Sequence, residues 1–267
     1  MLARMSFVEV PGHDIVGIRA ANPGPFTLTG TNSWIVGRDP AWLIDPGPAQ
    51  AEHVAALTEE LNRRGGLGGL VLTHDHADHS QASAAVRERF PDALAAAARG
   101  DVDVALDDGS TFGPLGAVEV PGHAPDHLAF VVDGVGLTGD AVLGTGSVFI
   151  APDPGALRGY LNGLERLRSR NLRLLCPGHG PLVTDPQAKL TEYIEHRLDR
   201  ERRLIDALDA GLRGVDELLD EVWDDAPATL RPAAALTLAA HLDKLDEEGR
   251  LPPGVERPPP WRPVAEG

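Results

Sequence analysis

The segment from Leu70 to His79 constrains this chain more than any other stretch of it. The apolar run Leu70-Val71-Leu72-Thr73 stops abruptly at His74-Asp75-His76-Ala77-Asp78-His79. A short apolar run of this kind reads as a buried β-strand, and it delivers three imidazoles and two carboxylates to its exposed end, where they have little packing value. Neutral imidazoles and ionised carboxylates are the ligands of zinc and similar divalent cations, and crowding them together costs desolvation and repulsion unless a cation compensates. The hexapeptide therefore predicts a metal site at the end of a strand.

The flanking sequence supplies a scaffold for it. From Phe7 to about Thr184, β-type runs alternate with loops rich in Gly, Pro and Asp; examples are Ser33 to Val36, Trp42 to Ile44, Leu70 to Thr73 and Leu172 to Leu175. Ala49 to Arg64 and Ser80 to Phe90 have helical apolar spacing, and Leu128 to Val132, Asp133-Gly134 and Val135 to Thr138 read as a hairpin. The pattern predicts a layered α/β domain over residues 1–185. Beyond it the texture turns helical. Lys189 to Ala210 places Leu190, Ile194, Leu198, Ile205 and Leu208 on one face, Gly211 ends that helix, and Val215 to Trp223 and Pro232 to Glu248 follow. These helices and the Pro-rich tail through Pro258-Pro259-Pro260 predict a winged-helix-like domain over residues 186–267, with Val215, Leu218, Leu219, Trp223, Leu238, Leu242 and Leu245 as its small core.

Three further residues sit where apolar runs end beside glycine: His123 in Val120-Pro121-Gly122-His123, Asp140 in Leu137-Thr138-Gly139-Asp140, and His179 in Cys176-Pro177-Gly178-His179. Taken singly each is ordinary turn text. Their order after the hexapeptide, with Leu43-Ile44-Asp45-Pro46-Gly47 ahead of it, resembles the metallo-β-lactamase superfamily over roughly Phe7 to Thr184. The resemblance implies a four-layer αββα sandwich and a dinuclear centre. His74, His76 and His123 would hold one metal and Asp78, His79 and His179 the other, with Asp140 bridging both and Asp45 supporting the ligands from behind. Two zinc ions are implied, with iron or manganese as alternatives in the second, more oxygen-rich site. Asp78 and Asp140 would be catalytic, and a hydroxide shared by the two metals would attack the substrate.

Within the superfamily, Asp140 separates this chain from the true β-lactamases, which lack a bridging Asp there. Glyoxalase II keeps that residue but has a Tyr and basic residues after the last His, where this chain continues Gly180-Pro181-Leu182-Val183. The nearest likeness is the lactamase-beta-like subgroup with an added winged-helix-like domain. It rests on Val120 to His127, with Ala124 where Thr is commoner, on Ser147 to Pro152 and on Tyr160-Leu161. Some members of that subgroup are thioesterases and others cleave single-stranded RNA.

Charge weighs between these outcomes. The 40 Asp and Glu against 24 Lys and Arg give a formal charge of −16, which repels polyanions. Between Gly211 and Arg250 the basic residues Arg213, Arg231, Lys244 and Arg250 are outnumbered by acids, so DNA reading by the helical domain is disfavoured. The expectation is a small ester, thioester or lactone as substrate, with RNA as the alternative through the Arg158, Arg166, Arg168, Arg170 and Arg173 cluster. Cys176, the single cysteine, excludes a cysteine-rich zinc module and reads as a buried strand residue. The sequence has no run of roughly 18 apolar residues and its start lacks a secretory pattern, so a cytoplasmic protein is expected. A homodimer remains open. His127 reads equally as a support of the metal ligands or as a backbone-bonded strand residue, and Tyr160 as packing.

Overall fold

The computed structural model describes residues 6–259; the leading residues of the sequence and the end of the Pro-rich run, from Pro260, lie outside them. Strands β1 (Ser6–Glu9), β2 (Ile15–Arg19), β3 (Asn32–Val36), β4 (Ala41–Ile44), β5 (Leu67–Val71), β6 (Leu94–Ala97) and β7 (Val104–Ala105) pair in chain order into one seven-stranded sheet. β1 to β4 are antiparallel and β4 to β7 parallel. A parallel step needs a crossover. Helix α1 (Ala51–Arg63) makes the one from β4 to β5, and α2 (Ala77–Ser80) with α3 (Ser83–Arg87) the one from β5 to β6.

The second sheet runs in the order β12 (Leu174–Pro177), β11 (Val135–Gly139), β10 (Leu128–Val132), β9 (Leu115–Glu119) and β8 (Thr111–Phe112). β12 is parallel to β11, so it too needs a crossover, α4 (Ala156–Ser169). Trp34, Ile44, Val71, Phe130 and Leu137 fill the space between the sheets. Ile18, Ile35, Leu43, Leu57, Leu61 and Leu70 pack the first sheet on its helices, and Val118, Ala129, Tyr160, Leu164 and Leu175 pack the second sheet on α4. Four layers result, helix, sheet, sheet, helix. Leu70 and Val71 belong to different cores because successive strand residues face opposite ways. A strand covered on both faces must be apolar at every position, which is why the run before the hexapeptide is continuous.

Two expectations need correction. The helix read over Ser80 to Phe90 is broken: the Ala82 amide leaves the helical ladder to donate to Gly47 O at 2.9 Å, so the segment turns between α2 and α3. In α5 (Pro186–Asp209), started by Asp185 accepting from the Ala188 amide at 3.0 Å, Leu198 is 48% exposed. The buried stripe runs Leu190, Tyr193, Ile194, Arg197, Glu201, Leu204, Leu208, so Arg197 takes the place the apolar spacing gave to Leu198.

Helix α5 spans two cores, with Leu190, Tyr193 and Ile194 beside α4, and Leu204, Ala207 and Leu208 beside the C-terminal helices. Those are α6 (Val215–Val222) and α7 (Arg231–Glu247), the latter entered through a 3-10 turn at Ala228–Leu230. Leu218, Leu219, Trp223, Leu238, Leu242 and Leu245 form their core as expected, with Val215 partly buried against it. Among the described residues no helix is long and apolar enough to cross a membrane.

His241 is buried in α7, its Nδ1 donating to Thr237 O at 2.8 Å. Burial holds its pKa down at about 4, against which the hydrogen bond to Thr237 works only partly. The unfolded chain takes up this proton below the ordinary value near 6.5 and the folded chain does not, so stability falls as pH drops from there towards 4. With chelator present throughout, urea unfolding of the wild type should lose about 2 kcal/mol more between pH 7.5 and 5 than that of His241→Gln. Parallel pH profiles would refute this.

Candidate metal centre

All seven sequence-predicted ligands meet at one edge of the sandwich, because each follows the end of a strand or the short turn after it. His74 to His79 follow β5, His123 follows β9, Asp140 follows β11 and His179 follows β12. His74 Nε2 lies 2.9 Å from His76 Nδ1, which lies 3.0 Å from His123 Nε2. A second set brings His179 Nε2 within 3.2 Å of both His79 Nε2 and Asp78 Oδ2. Asp140 stands between the sets and divides its oxygens. Oδ2 is 3.5 Å from His123 Nε2, while Oδ1 is 3.4 Å from His79 Nε2 and 3.3 Å from His179 Nε2.

The residues fit a divalent cation. His74, His76 and His123 point ring nitrogens at one another, and burial, foremost, lowers the pKa of all three, His123 to about 4. Nε2 of His74 and of His123 both approach the one Nδ1 of His76, which has a single lone pair or a single proton to share between them, whereas a cation among the three takes a lone pair from each ring. Asp140 Oδ1 is buried and, although His79 and His179 Nε2 lie 3.4 and 3.3 Å away, makes no well-formed hydrogen bond, a costly state for a carboxylate oxygen. In the second set, burial lowers the basicity of His79 and His179, but Asp140 outweighs it, aided by Asp45 at His79 and Asp78 at His179; the His79 pKa rises well above the ordinary value and that of His179 to about 9. A cation held by these two imidazoles would have to displace their ring protons, so its binding would release protons.

Behind the ligands lies a layer of fixed partners that sequence reading found only in part. Asp45 is buried with a φ of +52°. Its Oδ1 accepts from the Thr73 amide at 2.7 Å, and its Oδ2 from Thr73 Oγ1 at 2.7 Å and His79 Nδ1 at 2.8 Å. His127 stacks on His74, centroids 4.9 Å apart, and its Nε2 accepts from the Asp140 amide at 3.0 Å. Its bond is thus to backbone, and that backbone positions Asp140. Asn32, absent from the sequence reading, donates to Pro177 O and Gly180 O at 3.1 and 3.0 Å and fixes the turn bearing His179. The signal for it was Thr31-Asn32-Ser33, three polar residues opening a strand that is otherwise apolar. Tyr160 is buried and donates to Ala141 O at 2.6 Å, a packing role, and Cys176 is buried in β12.

Gly178 leaves the room these groups need. A Cβ there would meet Asp140 Oδ1 and His79 Cε1 at 2.7 Å. Gly178→Ala is expected to weaken zinc binding at least ~10-fold, the scale on which displaced ligand supports act, and chelator-competition titration measures it. Wild-type affinity would count against this placement of the ligands.

Residues 26–103 match the model of the metallo-beta-lactamase superfamily, and residues 215–251 that of the beta-lactamase associated winged helix domain. The chain is 31% identical to the lactamase-like protein adaB of Aspergillus niger over 98% of its own length and 88% of that protein. This chain belongs to the metallo-beta-lactamase superfamily. It is a metal-binding hydrolase of that superfamily. It is also 35% identical to an atrochrysone carboxyl ACP thioesterase of Aspergillus chevalieri, over 73% of this chain and 65% of that protein. A metallo-beta-lactamase family protein of Thermus thermophilus shares the fold at a TM-score of 0.71 and 23% identity, over 88% of this chain and 94% of that one.

Proposed function

We propose that this metallo-beta-lactamase superfamily hydrolase is dinuclear and cleaves a small thioester, ester or lactone. The division of the Asp140 carboxylate between the two ligand sets carries the reading, since one buried residue facing both is what a shared bridging ligand requires. The relative named a thioesterase supports a thioester within that class. His74, His76 and His123 would hold one cation and Asp78, His79 and His179 the other, zinc being the ion these ligands suit best, with iron or manganese as alternatives at the second. Bound cations of this kind supply a hydroxide nucleophile at neutral pH and polarise the oxygen of the group under attack.

The chain's own residues do the rest. Asp140 and His127 keep the two ligand sets in register through the bond at the Asp140 amide. Every contact to Asp78 among the described residues falls on Oδ2, shared by Thr31, His79 and His179. Its Oδ1 is left to accept a hydrogen bond from the attacking nucleophile and hold it in line.

RNA is the less supported substrate. Arg158 and Arg168 are paired with Glu247 and Glu165 at 2.6 and 2.7 Å, while Arg166 and Arg173 donate to the carbonyls of Glu119 and Asp133, so these cations are engaged locally. Incubating zinc-loaded protein with a thioester and lactone panel beside a labelled single-stranded RNA tests the reading. Carbonyl turnover with two zinc ions per chain by mass spectrometry supports it; RNA cleavage alone overturns the substrate, and one ion per active chain overturns the dinuclear centre. A cytoplasmic setting belongs to the same reading and suits the lone reduced thiol of Cys176.

A further inference from the structure

A pocket of about 140 Å³ opens beside the metal centre, with His123 and Asp140 in its wall. Its other walls are largely apolar, with Thr145 and Ser147 as polar exceptions, and come from three parts of the chain. Phe26 and Leu28 come from the turn between β2 and β3, Leu143 and Phe149 from the segment after β11, and Leu230 and Ala233 from the start of the C-terminal helices. Phe26 is 56% exposed and meets Phe149 edge to face, centroids 5.9 Å apart at 75°, while Phe149 packs on the His123 ring at 4.6 Å. The two rings line a largely apolar pocket with a few convergent polar groups, the usual form of a small-molecule site.

The wall bearing Phe149 is fixed from the C-terminal side. Buried Arg197 of α5 donates to Ser147 Oγ at 2.7 Å and to Val148 O, Tyr193 donates to Gly146 O at 2.8 Å, and Thr237 Oγ1 of α7 accepts from the Ile150 amide at 3.3 Å. A buried arginine spent on a carbonyl and a hydroxyl is an expensive way to hold a loop, so the loop's position matters. The helical domain therefore shapes the cleft twice, through Leu230 and Ala233 directly and through the strapped Phe149 wall.

We propose that this pocket receives a benzene-sized apolar acyl group attached to the carbonyl under attack, and that Leu230 and Ala233 set the size it accepts. The pocket's volume is close to the roughly 150 Å³ that accommodates benzene, and its opening onto His123 and Asp140 places the attached carbonyl at the metal centre. This rests on the reading of the enzyme as a carbonyl hydrolase. In that reaction water adds its oxygen to the carbonyl carbon, the C–S bond breaks, and the products are the carboxylate, the protonated thiol and one proton.

The test compares the S-acetyl, S-benzoyl and S-naphthoyl thioesters of N-acetylcysteamine on the zinc-loaded full chain. Ala233→Phe, which fills the pocket from a partly exposed helix position, should lower the benzoyl-to-acetyl ratio of kcat/KM at least ~10-fold. Leu230→Ala, which enlarges it, should raise the naphthoyl-to-benzoyl ratio about 3-fold or more. Ratios unchanged in both folded variants overturn the proposal, and if Ala233→Phe does not fold, Leu230→Ala decides alone. Should the wild type cleave no thioester, the thioester reading fails while the pocket is still judged by calorimetry: benzoate must bind at least ~10-fold more tightly than acetate and lose that advantage in Ala233→Phe. Equal affinities for the two acids would overturn it.

Discussion

Asp140→Asn is expected to cut turnover at least ~10³-fold while the protein stays folded, the scale expected when a preorganised charge at the reacting centre is lost. The amide has almost the shape of the carboxylate, so the packing of β11 and its bond from the Asp140 amide to His127 should survive. What disappears is one negative charge facing His123 on one side and His79 and His179 on the other. Zinc content by mass spectrometry should fall together with activity. A full complement of metal with activity near wild type would remove the bridging role.

The same substitution changes the metal-free protein in a way that pH exposes. The His179 pKa is raised to about 9, above the ordinary value of 6.5. A raised histidine pKa contributes stability that is fully present below the unfolded value and is lost as pH climbs through the folded one. The stripped wild type should therefore lose stability between about pH 6.5 and 9. Asp140→Asn should flatten that decline, which denaturation at two pH values would show.

Asp45→Ala is the second large effect, although Asp45 touches no substrate. Its removal leaves the Thr73 amide, the Thr73 hydroxyl and His79 Nδ1 without their shared acceptor inside a closed site. Buried donors stripped of a charged partner together cost roughly 3 kcal/mol. Loss of the acceptor that orients a ligating imidazole costs a further ~10- to 100-fold in metal affinity. Urea unfolding of the metal-free protein and zinc titration of the folded protein separate the two losses. Unchanged zinc affinity in the variant would reduce Asp45 to a folding role.

How much of this was legible beforehand follows from how far apart in sequence the interacting groups lie. The hexapeptide could be read because five ligand-type side chains fall within six residues, and β5 could be read because a strand covered on both faces has to be apolar throughout. Asp140 and His179 needed the family order as well, since a Gly-Asp or Pro-Gly-His turn has the same text with or without a metal. Leu198 misled because helical spacing reports a face but not which neighbours it will meet. Two cores draw on α5, and Arg197 takes the buried position between them with its guanidinium over the Tyr160 ring and bonded to Ser147 and Val148. The break after Ser80 was equally out of reach, because its cause is a hydrogen bond to Gly47, more than thirty residues earlier.

The sequence by itself determined the ligand-type cluster of the hexapeptide and the layered α/β class, because both are written in local residue chemistry: the types of donor available and the period of apolar burial. Only the tertiary structure decided that one carboxylate faces both sets of ligand-type side chains, that Asn32 and His127 fix the turns bearing His179 and Asp140, and that Phe26, Phe149 and Leu230 line a largely apolar pocket beside them. Those relations join residues tens to hundreds of positions apart. They arise only when two sheets and a helical domain are packed together, for the reach of a hydrogen bond or a van der Waals contact is set in space and leaves no mark on spacing along the chain.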